Sequence, residues 1–142
     1  MKLRASVREI MKKEIVSVNS EDDIDSAAKK MKKHGVGSVM VMNGQNYLGI
    51  ITAMDIVYKH VADKSGSKCK DIMTEDLITI DTESSIEDAA RKMTEYGVEK
   101  LPVLENGKLI GIITNNDILR VEPEMFEILV ERLKIEGGEN ED

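Results

Sequence analysis

The chain has 142 residues, 41% apolar and 33% charged, with 20 Lys and Arg against 27 Asp and Glu for a net charge of −7. That length suits one ordinary domain or two small units sharing a core, and the ordinary apolar fraction excludes wholesale disorder. No apolar run reaches membrane-spanning length, no apolar leader follows Met1-Lys2-Leu3-Arg4, and a lone Cys69 with two histidines makes neither a disulfide nor a zinc set.

A soluble cytoplasmic protein is therefore expected. With no Trp and one Phe, its core must come from Ile, Val, Leu, Met and Ala. The negative charge is concentrated at the end: residues 121–142 hold two basic and eight acidic side chains, on a nearly balanced body. Such a tail disfavours nucleic acid as a partner. Lys29, Lys30, Lys32 and Lys33 form a local basic cluster that reads as a solvated helix end.

The chain repeats itself. Laying residues 7–57 over 69–119 needs no gap and gives 17 identities in 51 positions. Glycines, threonines and aspartates match as well as apolar positions, which a shared hydrophobic period would not produce. The reading is repeat 1 at 7–62, a polar linker at 63–68, repeat 2 at 69–121, and an amphipathic helix with an acidic tail at 122–142.

Each copy gives the same elements in order. An extended segment comes first, Ile15–Val18 and Leu77–Ile80. Ser20 and Thr82 are expected to cap the following helices, with acids in the first turn favouring the positive end of the dipole. Ile24, Ala27, Ala28 and Met31 fall at i, i+3, i+4 and i+7, and Ile86, Ala89, Ala90 and Met93 repeat that stripe. Gly35 and Gly97 stand where a left-handed C-terminal residue is expected. Asn43-Gly44 and Asn106-Gly107 then predict hairpins, with return strands over 48–51 and 109–113 that read as buried on both faces. A final helix begins at Thr52 and at Thr114, completing β-α-β-β-α twice. Pro123 suits a helix start, continued by Met125, Phe126, Ile128, Leu129, Val130 and Leu133, and 136–142 reads as disordered. The fold class is α+β or α/β, with two repeats packed sheet to sheet about a pseudo-twofold axis.

The sharpest motif is Gly-Ile-Ile-Thr-x-x-Asp, at Gly49–Asp55 and Gly111–Asp117. Open N–H groups at the helix start can hold a phosphate, the Thr hydroxyl adds a donor, and an Asp one turn in can accept both hydrogen bonds of a ribose diol. The same spacing is also that of a capping box, the commoner use of Thr-x-x-Asp. The pattern alone leaves both readings standing. His34 and His60 have no catalytic partner nearby, Cys69 reads as a plain thiol, and the nine methionines read as fillers for absent aromatics.

The duplicated unit, each copy closing on Gly-Ile-Ile-Thr-x-x-Asp-Ile, resembles a tandem pair of CBS (cystathionine β-synthase) domains. The Ile-Met before each first strand and Gly97-Val98 leading to Leu101-Pro102-Val103 match that family too, and the likeness covers about residues 7–120. The resemblance implies a regulatory module rather than an enzyme. It would bind AMP, ADP, ATP or S-adenosylmethionine in clefts between the repeats and have no catalytic cofactor. Carried over by position, one cleft would use Thr114 and Asp117 for phosphate and ribose, with Glu14, Ile15, Val16, Val36 and Gly37 as its adenine slot. The other would use Thr52 and Asp55, with Asp76, Leu77, Ile78, Val98 and Glu99. Lys100 stands where some members place a phosphate-binding base, and its counterpart is Ser38, so the Asp117 cleft is expected to accept more phosphate charge, while the Asp55 cleft prefers less or stays empty. A solvated lysine is the plain alternative for Lys100. Such pairs commonly form homodimers, and with no effector domain read in 142 residues the output would pass to an unknown partner protein. The rival readings are a ligand-free structural or dimerisation module and, with less support, a nucleic-acid-binding one.

Overall fold

The computed structural model describes residues 5–130. In chain order these form α1 (Val7–Ile10), β1 (Ser17–Asn19), α2 (Ile24–His34), β2 (Ser38–Asn43), β3 (Asn46–Thr52), α3 (Ala53–Asp55), α4 (Cys69–Ile72), β4 (Ile80–Asp81), α5 (Ile86–Tyr96), β5 (Lys100–Glu105), β6 (Lys108–Thr114) and α6 (Asn115–Val121). α3 runs on as a wider π-helical stretch, Ile56–Ala62, and a 3-10 turn at Pro123–Met125 follows α6. The class is α+β, with two three-stranded sheets ordered β1-β2-β3 and β4-β5-β6. In each, the first pair is parallel and the second antiparallel.

The chain divides into two compact units: Glu14–Leu77, and the N-terminal residues through Lys13 together with the chain from Ile78 onward. These units do not coincide with the repeats at 7–62 and 69–121. The first residues of repeat 1 join the core of repeat 2: Val7 and Met11 are buried with Ile86, Met93 and Ile113. Correspondingly, Cys69 and Ile72 are buried with Ile24, Val39 and Ile51. Residues 63–68 are not a loose tether, since Ser67 O accepts from Ile24 N–H at 3.3 Å and Lys68 pairs with Glu21 at 2.6 Å.

The helix starts differ from expectation. Asp23 and Ser85 are the N-caps, not Ser20 and Thr82. Asn19 Oδ1 accepts from Glu21 N–H at 2.9 Å and Asp22 Oδ2 from Asn19 N–H at 3.0 Å, so a side-chain-bonded turn delays the helix by three residues. Asp23 Oδ1 then takes Ser26 N–H at 2.9 Å. Ser20 and Thr82 are buried instead, and each extends its sheet through an N–H bond, to Met42 O and Leu104 O. Gly35 and Gly97 do end their helices left-handed, both at φ 65°.

Three further differences concern burial. Ala28 is exposed while Ala90 is buried. The added C-terminal helix supplies Met125 and Leu129 to the core around α5, and Thr94 Oγ1 donates to Ile128 O at 2.8 Å; within the described residues α2 has no counterpart of that cover. Phe126 points outward, and Leu133 and 136–142 lie outside the described residues. The return strands are buried on one face and only half-buried on the other.

The first strand of each copy is also shorter than expected, and unequally so. Met40 N–H donates to Val16 O at 3.0 Å, so β1 pairs with β2 from Ser17 onward. Its counterpart, Pro102, has no N–H, and β4 pairs only from Ile80.

Candidate functional site

Both Thr-x-x-Asp motifs fold as reciprocal capping boxes. Thr114 Oγ1 accepts from Asp117 N–H at 3.2 Å, and Asp117 Oδ2 accepts from Thr114 N–H at 3.0 Å. Thr52 and Asp55 do the same at 3.1 and 2.9 Å. Neighbouring N–H groups are also engaged: Asn115 donates to Glu99 O, Asn116 to Asn115 Oδ1, and Ala53 to Gly37 O. The expectation of open N–H groups for a phosphate therefore does not hold at the start of the Asp117 helix. For the Asp117 helix all four, from residue 114 to 117, are bonded within the chain. At that helix, donors for an anion have to come from side chains.

Such side chains surround Asp117. Its carboxylate is 2% exposed, and Oδ1, the oxygen not used by the cap, faces Lys12 Nζ and Arg120 Nη1, each at 3.7 Å. These are ion pairs just beyond hydrogen-bond length. Arg120 arrives from one turn along α6. Lys12 arrives from the N-terminal strap, residues 11–12, which pairs with β6: Lys12 N–H donates to Ile112 O at 2.8 Å and Ile112 N–H to Lys12 O at 3.0 Å. Gly111 permits that approach, since a Cβ there would lie 2.7 Å from Met11 Sδ and 2.9 Å from Lys12 O. On the other side of β6, Lys100 is the register partner of Thr114. Cross-strand partners and residues two apart share a face of a sheet, so Lys12, Ile112, Thr114 and Lys100 project to the same side. Lys100 lies on the central strand of its sheet and is half-buried. Burial pushes its ammonium below the ordinary lysine value; Glu99 opposes the shift and the charge of Lys12 adds to it.

The other unit has the same scaffold with different charges. Ser38 is the register partner of Thr52, and Thr74 pairs with Ile50 by two backbone bonds of 2.9 and 3.0 Å. Thr74 thus stands where Lys12 does, Ser38 where Lys100 does, and exposed Tyr58 where Arg120 does. Among the described residues one cation reaches the carboxylate: Lys59 Nζ lies 3.3 Å from Asp55 Oδ1 and 3.2 Å from Ile72 O.

Each expected constellation draws on both units. Thr114, Asp117, Lys100, Ile78, Val98 and Glu99 belong to one unit, and Thr52, Asp55, Ser38 and the slot residues Glu14, Ile15, Val16, Val36, Gly37, Asp76 and Leu77 to the other. Within its unit each Thr/Asp pair is assembled as the motif predicts. Lys12, Arg120 and Lys59 were not foreseen. Arg120 and Lys59 carried a local signal, at i+3 and i+4 from the aspartates. Lys12 carried none, because only the strap brings it to Asp117. Among the described residues no group of His, Cys, Asp and Glu is placed to hold a metal ion, and no helix is long and apolar enough to cross a membrane.

The CBS domain family model matches residues 7–61 and 69–124. The chain is 34% identical over 134 residues to the uncharacterized protein MK0525 of Methanopyrus kandleri, covering 91% of this chain and 68% of that protein. It is 33% identical over 127 residues to an inosine-5'-monophosphate dehydrogenase of Korarchaeum cryptofilum, covering 89% of this chain but 26% of that enzyme. Among solved structures, the CBS domain pair of protein MJ0100, in complex with 5-methylthioadenosine and S-adenosyl-L-methionine, superposes with a TM-score of 0.78 at 27% identity, covering 86% of this chain and 98% of that one.

Proposed function

Because the chain belongs to the CBS domain family, we propose that it is a regulatory ligand-binding module for adenosine-containing molecules. The observation that carries this reading is the divided use of each aspartate. One oxygen closes the helix cap and the other faces charged side chains, which leaves one carboxylate oxygen for ribose hydroxyls and sets cations beside it. Asp117 and Asp55 would accept the ribose hydroxyls. The Thr114 and Thr52 hydroxyls, which accept from the helix, keep a proton to donate to the ligand. The residues expected to seat adenine are Glu14, Ile15, Val16, Val36 and Gly37, and Asp76, Leu77, Ile78, Val98 and Glu99. The solved pair with two adenosyl ligands supports the ligand class.

The two aspartates would not select alike. Lys100 beside Thr114 favours ligands with more phosphate, such as ADP or ATP, whereas Ser38 beside Thr52 favours AMP or an uncharged or sulfonium adenosyl compound. Occupancy would be passed to a partner protein, with a homodimer as the working assembly and no chemistry performed on the ligand.

One observation favours a second reading, a ligand-free structural module: the capping boxes account for both Thr/Asp pairs without any ligand. A thermal-shift panel of adenosine, AMP, ADP, ATP and S-adenosylmethionine separates the two. A ligand at a hundredfold over its dissociation constant adds about 2.7 kcal/mol, several degrees of melting temperature. Asp117→Asn keeps an acceptor for the cap but is a weaker acceptor for ribose hydroxyls, so it should reduce the shift by every adenosine-containing ligand while the protein remains folded. No shift with any member of the panel would establish the structural reading instead.

A further inference from the structure

We propose that Lys12 and Arg120 are the charge-reading residues of the Asp117 site: they rest on the carboxylate in the ligand-free protein and transfer to the ligand's phosphates when its ribose takes the carboxylate oxygen. The inference rests on the proposed adenosine site and goes beyond it in naming the residues that set ligand charge.

Three observations converge. First, the only oxygen of Asp117 left by the cap is Oδ1, and both cations face that same atom at 3.7 Å. A ribose hydroxyl bonding there competes with them for the same oxygen. Second, both side chains are free to move: Lys12 is 61% and Arg120 68% exposed, over an aspartate that is 2% exposed. The mobile partners are thus the cations and the fixed partner is the acid. Third, the helix-start N–H groups are all engaged, so a phosphate finds its donors among side chains. The duplicate provides an internal contrast, with Thr74 and Tyr58 at the corresponding positions.

This arrangement makes an opposed prediction for charged and uncharged ligands. An uncharged nucleoside displaces the two ion pairs and offers the cations no new partner. A phosphorylated one offers the displaced cations charge-assisted hydrogen bonds. Lys12→Thr, which installs the residue of the duplicate, should therefore weaken ADP at least tenfold, as expected for loss of one charged contact. It should leave adenosine unchanged or bind it more tightly.

Titration calorimetry of adenosine, AMP and ADP into the full chain, Lys12→Thr, Lys12→Arg and Asp117→Asn tests this. Support is a fall of tenfold or more in the adenosine-to-ADP ratio of dissociation constants in Lys12→Thr, restored in Lys12→Arg. A ratio unchanged in Lys12→Thr, with Asp117→Asn still defective, overturns the role of Lys12 and leaves the adenosine site standing. Equal weakening of all three ligands in Lys12→Thr also overturns it, since that is what mere structural damage does. Binding indifferent to Asp117→Asn, or no binding by any protein, overturns the site itself and this inference with it.

Discussion

Replacing Gly111 with alanine puts the strap that carries Lys12 under direct strain. The new Cβ would stand 2.7 Å from Met11 Sδ and 2.9 Å from the Lys12 carbonyl oxygen. The sulfur lies near the end of a flexible side chain and can swing aside. The carbonyl is backbone, held by Ile112 N–H at 3.0 Å, and can yield only if the strap lifts. Lifting breaks that bond and the reciprocal one from Lys12 N–H. Two backbone bonds at about 1 kcal/mol each, with some disturbance of Met11 packing, set the cost at about 2–3 kcal/mol. In a domain of this size that is a fall of roughly 6–9 °C in melting temperature, read by scanning calorimetry. Gly49→Ala is the matched case, with the Thr74 carbonyl oxygen at 2.6 Å from the added carbon, and should cost at least as much. The two differ at the ligand, because only Gly111→Ala withdraws Lys12 from Asp117. A Gly111→Ala protein melting within about 1 °C of the parent would refute the reasoning, since the strap would then bend without losing its bonds.

Other consequences follow from single contacts. Asp117→Ala removes the acceptor of the Thr114 N–H and should cost about 0.5–2 kcal/mol in urea denaturation, more than Asp117→Asn, which keeps an acceptor; equal costs would mean the cap is idle. Met40→Pro removes the N–H that binds Val16 O and should cost about 1 kcal/mol from that bond alone, detectable as faster amide exchange along β1. Burial, reinforced by Asp22 and Asp23, pushes the Cys69 thiol up to about 11. A group whose folded pKa stands above its unfolded value near 8.5 contributes stability that is complete below that pH and lost as pH rises toward the folded value. Between about pH 8.5 and 11 the Cys69→Ala chain should therefore lose less stability than the parent, and parallel curves in urea titrations would contradict the shift.

The repeat, the hairpins, the left-handed glycines and the Thr caps of the last helices were legible because each rests on neighbours in sequence. A two-residue hairpin or a Thr-x-x-Asp box closes within a few residues and leaves a local signature. Where local signals competed, the reading slipped. Ser20 and Thr82 look like caps, but the side chains of Asn19 and Asp22 build a turn first, and the helix waits for Asp23. The hairpins also differ in a way that spacing hides. The first turns on Gly44-Gln45, with Gly44 at φ 63°, whereas the second turns on Asn106-Gly107 at φ 52° and 78°. Least legible was the strap. Two hydrogen bonds between Lys12 and Ile112 impose no period on either segment, so nothing in the sequence announces that a lysine near one end meets an aspartate near the other.

Around the two aspartates, charge rather than the Gly-Thr-Asp frame is what has diverged. Gly49 and Gly111, Thr52 and Thr114, and Asp55 and Asp117 are retained, and each does the same geometric work in its unit: a glycine admits a strap, a threonine caps, an aspartate closes the box. Around that frame Lys12, Lys100 and Arg120 face Thr74, Ser38 and Tyr58, so three cationic positions on one side are neutral on the other. Lys59, whose counterpart is Val121, returns a single cation to Asp55, enough to balance its carboxylate and no more. If the frame serves only to cap helices, the surrounding charges have no ligand to read. Exchanging the three pairs between units should then leave the ligand profile as it was, whereas a charge-reading site should exchange its preferences with them.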